Sequence, residues 1–206
     1  MNKHKLIINP KNINMNTKQE KLNEIIRSFR TCGMMREFLG TDSFELAVAC
    51  RYRDANGRIL CCSHQRHIRH SALEQILEKL KAQKENISKA GNFEELHKIV
   101  DDTQVRYIGD LTKYDIAVRL GFLQNPKILP QELVYIHAGT YEGAKALYDS
   151  GLLKSKPKGI MNLKDFEVLE GLNDLNKKEC DIPDFATYSM LIENFLCVKK
   201  DELKIL

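Results

Sequence analysis

Residues 92–121 read N-F-E-E-L-H-K-I-V-D-D-T-Q-V-R-Y-I-G-D-L-T-K-Y-D-I-A-V-R-L-G, and this stretch decides the fold class. Asn92 and Glu95 have the spacing of a capping box, and an apolar stripe of helical period follows them. Thr112 opens a second helical segment that ends near Gly121. The stretch therefore predicts two helices joined by a short turn.

Outward from this pair, most of the chain has the same helical character. Thr17 with Glu20, and Ser71 with Glu74, repeat the capping-box spacing before apolar stripes. Further helical segments are predicted from Thr140 to about 151, over about 163–170, and from Pro183 to about 198. The sequence predicts a mainly α protein.

One segment changes from helical to alternating period. Apolar residues at every second position from Phe44 to Tyr52 precede Asn56-Gly57, and an apolar run follows over 59–62. Asn-Gly between two such runs is typical of a β-hairpin, which we expect near 44–62. A helix over 43–51 is the alternative, because Glu, Leu and Ala also tolerate helices.

The chain has 206 residues, enough for one good core or two small ones. Residues 1–15, rich in Asn and Lys, are predicted to form a flexible arm, and 16–206 a single helical domain. No apolar run approaches the length of a membrane span, and the basic N-terminus lacks the apolar region of a secretory signal. We therefore expect a cytoplasmic protein without membrane partners.

Charge is unevenly distributed along the chain. Residues 1–130 carry 22 Lys or Arg and 15 Asp or Glu, whereas 131–206 carry 10 and 13. A basic front half is compatible with a polyanionic partner. Ordinary surface charge is the alternative explanation.

Two glycine-containing turns precede helices and offer free backbone N–H groups, which bind anions such as phosphate. The first turn contributes Gly109, Thr112 and Lys113, and the second contributes Gly139, Thr140, Gly143 and Lys145. Each resembles part of a helix-hairpin-helix, the module that grips a DNA backbone. At both turns, close helix packing is the alternative to phosphate binding.

The order of these turns, followed by a Val-x-x-His segment at 134–137, resembles the helix-hairpin-helix DNA glycosylases over about 92–150. That resemblance implies a DNA-gripping fold without glycosylase chemistry. Leu111 stands at the position of the family's nucleophilic Lys, and Tyr135 stands where its Asp would be. The four-Cys iron–sulfur tail of the family is also missing from this sequence.

Residues 61–70, C-C-S-H-Q-R-H-I-R-H, hold three of the six His residues. Zinc is one hypothesis, but the His residues repeat every three positions and no Cys-x-x-Cys occurs, so we predict no metal and no cofactor. A phosphate-binding basic patch is the second hypothesis, and a solvated loop is the third. The patch would consist of Arg51, Arg53, His64, Arg66, His67 and Arg69, together with Arg58 and His70.

The sequence thus favours a non-catalytic protein that binds nucleic acid, with duplex DNA contacted through its backbone. The rival hypothesis is a small enzyme or ligand-binding protein. Its polar pocket would be lined by His64, Arg66, Tyr114, Asp115, Arg119 and His137. A subunit that binds a protein partner is the third possibility.

Overall fold

A computed structural model describes residues 10–31, 34–62 and 65–206, and over these residues the protein is mainly α. Its helices are α1 (Pro10–Arg27), α2 (Met34–Glu37), α3 (Phe44–Val48), α4 (His70–Lys81), α5 (Lys84–Lys89), α6 (Phe93–Asp101), α7 (Asp110–Phe122), α8 (Ala138–Asp149), α9 (Tyr188–Val198) and α10 (Lys200–Leu203). A 3-10 segment, Leu163–Leu172, precedes α9. Within the described part of the chain, no helix is long and apolar enough to span a membrane.

The N-terminal helix starts earlier than expected. It begins at Pro10, so residues 10–15 of the predicted arm are helical, and Thr17 lies inside the helix rather than at its start. Proline is suited to this place because its fixed φ fits the first helical turn. Residues 1–9 lie outside the described residues.

The predicted β-hairpin exists but is shorter than expected. Strands β1 (Arg51–Arg53) and β2 (Ile59–Cys61) pair antiparallel, with Tyr52 opposite Leu60, and Gly57 has a φ of +76° in the turn. The strand expected over 44–50 is wrong, because residues 44–48 form α3. The Ser43 side chain accepts a hydrogen bond from the Leu46 N–H and caps this helix.

A second small sheet was not expected from the sequence. Strand β3 (Leu133–Tyr135) pairs antiparallel with β4 (Ile160–Asn162), and Val134 lies opposite Met161. Both of these residues are buried. This sheet fixes the entry into α8, which begins three residues after β3.

Two hydrophobic cores hold the described chain together. The first lies around α4, α6 and α7 and includes Ile76, Leu96 and Ile116. The second lies around α1, α8 and α9, where the Phe29 and Phe195 rings meet edge to face at 5.4 Å. The single domain over 16–206 stays a prediction.

The helix-turn-helix expected over 92–121 is present as α6, a turn, and α7. The Asn92 side chain accepts a hydrogen bond from the Glu95 N–H at 2.9 Å, so the predicted cap of α6 is confirmed. The predicted Ser71 cap is wrong, since α4 begins at His70 without a side-chain cap. Helix α7 starts at Asp110 rather than Thr112, and every residue from 112 to 121 is buried.

Candidate nucleic-acid interface

The turn between α6 and α7 has two buried residues at its ends and two exposed residues between them. Val105 and Ile108 are buried, and the Ile108 N–H donates to the Val105 carbonyl at 3.2 Å. Arg106 and Tyr107 between them are exposed. Tyr107 has a φ of +72° at the third position of this turn, where glycine is the usual residue. The turn therefore presents an aromatic ring and a guanidinium to solvent.

Two arginines from different segments contact the Tyr107 ring. The Arg69 guanidinium carbon lies 4.5 Å from the ring centroid, and that of Arg106 lies 4.8 Å from it. Arg69 belongs to the predicted basic patch, and its neighbours Arg66 and His67 are also exposed. These contacts place Arg69, at the end of the basic segment 66–69, on the same exposed face as the α6–α7 turn.

The basic segment is tied to α7 from the inside by Gln65. The Thr112 hydroxyl donates to the Gln65 side-chain oxygen at 2.9 Å, and the Gln65 amide nitrogen donates to the Asp115 carboxylate. All three side chains are buried. Thr112, which was expected to contact nucleic acid, therefore positions the segment instead.

The start of α7 is open on the Gly109 side. A Cβ placed on Gly109 would have no neighbouring atom within 4 Å, and no side chain caps the helix. Lys113, expected at the surface, is instead buried, and its ammonium donates to Asp101 at 2.7 Å. This hydrogen bond is the main reason that the pKa of Asp101 lies below its usual range. Lys113 therefore joins α7 to α6.

The second glycine turn is covered by α9, so it is not accessible to a phosphate group. A Cβ on Gly143 would lie 2.2 Å from the Leu196 carbonyl oxygen, and one on Gly139 would lie 2.9 Å from the Cys197 sulfur. Thr140 is buried and donates to Glu193 at 3.0 Å. The structure thus corrects the nucleic-acid role expected at Gly139, Thr140 and Gly143: these residues pack α8 against α9.

The remaining basic residues of the predicted interface are exposed, but some are already paired. Arg53 donates to Asp42 at 2.9 Å, and Lys145 on α8 pairs with Asp149. Arg51 is exposed on β1. His64 lies outside the described residues. Among the described residues, the β-hairpin therefore offers fewer arginines without an ion pair than the segment 66–69.

Among the described residues, the side chains expected to line the predicted pocket do not share a common cavity. Arg119 is fully buried, donates to the Thr41 hydroxyl at 2.6 Å and lies 4.7 Å from the Phe38 ring centroid. Asp115 is buried against Gln65, whereas Arg66 is exposed. Asp115 and Arg119, two of the residues expected to line the pocket, therefore hold α7 in the core instead.

A different polar cleft of about 260 Å³ opens where the starts of α7 and α8 meet. His137 lines it, and the His137 and Tyr114 ring centroids are 5.1 Å apart. Burial is the main cause that lowers the pKa of His97, so this imidazole is neutral at pH 7. The polar lining consists of His97, Asp101, Asp110, Lys113, Tyr135 and His137.

Metal ligation has no candidate cluster over residues 10–31, 34–62 and 65–206, where no three His, Cys, Asp or Glu side chains are arranged to bind an ion. His64 of the predicted cluster is not among these residues, so the expectation that this protein binds no zinc stays a prediction.

Comparison with protein-family models, with curated proteins and with solved structures gives no match to this chain. The helix-hairpin-helix resemblance therefore stays an interpretation of the sequence.

Sequence reasoning missed four residues that shape this face and its cleft: Gln65, His97, Arg106 and Tyr107. Tyr107 stands two residues before Gly109, and a bulky aromatic residue so close to the turn glycine was the available clue. The pairing of Gln65 with Thr112 joins segments 47 residues apart and leaves no local pattern. His97 lies on α6 beside its apolar stripe and is half-buried, so nothing in the sequence distinguishes it from an ordinary helix residue.

Proposed function

We propose that this protein binds the phosphate backbone of nucleic acid through the α6–α7 turn and the basic segment 66–69. One observation carries the proposal: Arg69 and Arg106 both contact Tyr107, which gathers cations from two segments on one exposed face. Arginine suits this task because its planar guanidinium binds phosphate oxygens bidentately.

The open start of α7 supports the same function. Backbone N–H groups at a helix start attract phosphate, and Gly109 leaves room for close approach. Asp110 beside it is exposed and opposes this attraction. The arginines must therefore supply most of the favourable electrostatic energy.

Fluorescence anisotropy with a labelled DNA duplex tests the proposal. We expect binding at about 50 mM salt, with a log–log salt slope of about −0.9 for each phosphate neutralised. The double variant Arg66→Glu/Arg69→Glu should weaken binding by about tenfold or more, because it reverses two charges on the face.

The matched control is Lys21→Glu/Arg27→Glu, which reverses two exposed charges on α1, the helix whose apolar side packs into the second core. This control should retain most of the affinity. Absence of binding by the unaltered protein at low salt would overturn the proposal, and equal losses in both double variants would reduce it to a general charge effect.

A ligand-binding function is the second candidate, and the polar cleft favours it. Its lining includes two carboxylates, Asp101 and Asp110, and one ammonium, Lys113, so it suits a neutral or cationic polar molecule better than an anion. With adenosine as a neutral polar probe, we expect millimolar concentrations to raise the melting temperature, and His97→Gln to remove this shift. A larger shift with adenosine monophosphate would contradict this assignment.

A further inference from the structure

The side chain of Tyr107 is unexpected at its place in the α6–α7 turn. A φ of +72° is a conformation that glycine adopts without steric cost and that a bulky residue rarely adopts. The turn alone would therefore be served better by glycine. The ring is 52% exposed, so burial of apolar surface does not account for it either. A residue that is both strained and exposed points to a role of the ring itself.

Arg69 and Arg106 can exchange their contacts with the Tyr107 ring for contacts with phosphate groups. Each forms an exposed cation–π contact, which is a weak interaction in water. A phosphate offers a guanidinium a charge-assisted and bidentate contact, which is stronger. Stacking of a nucleobase on an aromatic ring is likewise stronger than an exposed cation–π contact. A nucleotide beside Tyr107 would therefore draw both guanidinium groups onto phosphates and leave the ring faces to the base.

We propose that Tyr107 stacks on an unpaired nucleobase while Arg69 and Arg106 bind the phosphates that flank it. This inference rests on the proposed nucleic-acid function and adds a preference for strands with at least one unstacked nucleotide. A continuous duplex presents only its backbone to this face, whereas a bulged or single-stranded nucleotide also offers its base. Stacking does not select a base, so a preference for strand structure rather than for sequence is expected.

Two duplexes test the inference, one fully paired and one with a single bulged 2-aminopurine. The protein should bind the bulged duplex about tenfold more tightly, and it should quench the 2-aminopurine fluorescence as the base stacks. Tyr107→Gly should remove both effects and leave affinity for the paired duplex nearly unchanged. The same variant should melt at an equal or higher temperature, because glycine relieves the left-handed backbone.

Tyr107→Phe keeps the ring and should keep the preference for the bulged duplex. Tyr141→Ala is the matched control, because Tyr141 is also an exposed tyrosine, on α8. It should change neither binding nor quenching. In Tyr107→Gly, a loss of the preference for the bulged duplex without a fall in melting temperature separates stacking from a merely structural role.

Each outcome decides between the two proposals. A protein that binds neither duplex at low salt overturns the nucleic-acid function, and the exposed ring is then a contact for a protein partner. Equal affinity for both duplexes, unchanged in Tyr107→Gly, overturns stacking alone and leaves backbone binding intact. Loss of the preference in a folded Tyr107→Phe variant, or a lower melting temperature in Tyr107→Gly, also overturns the inference.

Discussion

Lys113 is a basic residue that stabilises the fold through a buried contact and is not available to bind a ligand at the surface. Its side chain is 9% exposed and pairs with Asp101, whose side chain is 45% exposed. Lys113→Met should lower the free energy of unfolding by about 1 kcal/mol, because it removes a charge-assisted hydrogen bond but leaves Asp101 open to water. Chemical denaturation at pH 7 measures this loss.

The pH dependence of that loss follows from Asp101. Its pKa is lowered in the folded protein, so the ion pair stabilises above the ordinary carboxyl pKa and is lost as pH falls through the folded value. The difference between the Lys113→Met variant and the unaltered protein should therefore shrink in acid. Lys145→Met is the control, since its pair with Asp149 is more than half exposed and should contribute almost nothing.

At the scale of elements, the crossing of α8 and α9 depends on the absence of a side chain at Gly143. Its Cβ would collide with the Leu196 backbone, which cannot rotate away as a side chain would. Gly143→Ala should destabilise the fold by about 1–3 kcal/mol, as overpacking does. A thermal melt checks this. Gly159→Ala, where a Cβ meets nothing within 4 Å, should melt within a degree or two of the unaltered protein if packing is the cause.

Helices and turns could be predicted from the sequence where residues close together in the chain determine them. The Asn92 cap and the Asn56-Gly57 turn involve neighbours in the sequence, so their patterns could be read directly. The strand period at 44–50 misled because it competes with the Ser43 cap, which starts α3. The β3–β4 pairing joins segments about 25 residues apart, and neither strand has more than three residues to show an alternation.

The site was less predictable than the fold because burial, not residue type, separates its members. Lys113 and Arg69 look alike as basic residues near turn signals, yet one lies in an internal ion pair and the other contacts Tyr107 at the surface. Tertiary packing makes that distinction. A single sequence carries little of it.

At the scale of the whole molecule, a buried carboxyl pair should make stability depend on pH. Burial, followed by the charge of Asp115, raises the pKa of Glu193 to about 8. The folded state therefore holds a proton that the unfolded chain releases at lower pH, so stability should fall as pH rises from about 4.5 to 8. Glu193→Gln carries no such proton, and its melting temperature relative to the unaltered protein should rise over that interval.

Glu142→Gln is the control for this measurement. Glu142 is exposed and pairs with Lys200 and Lys204, which lower its pKa, so its charge does not change between pH 6 and 9. Melting curves of the three proteins from pH 6 to 8, where both conditions hold, provide the measurement. Parallel pH profiles for Glu193→Gln and the unaltered protein would show that Glu193 does not titrate there.

The hydrogen bonds of Gln65 carry a consequence for how variation in this protein would be interpreted. Gln65 connects the exposed segment 66–69 to the buried side chains of Thr112 and Asp115. The positions of the exposed arginines therefore depend on these buried hydrogen bonds. A change such as Thr112→Val, hidden from any ligand, would displace arginines that it never touches. If substitutions were scored only by their effect on affinity, buried residues such as Thr112 would be mistaken for ligand contacts, although no ligand reaches them.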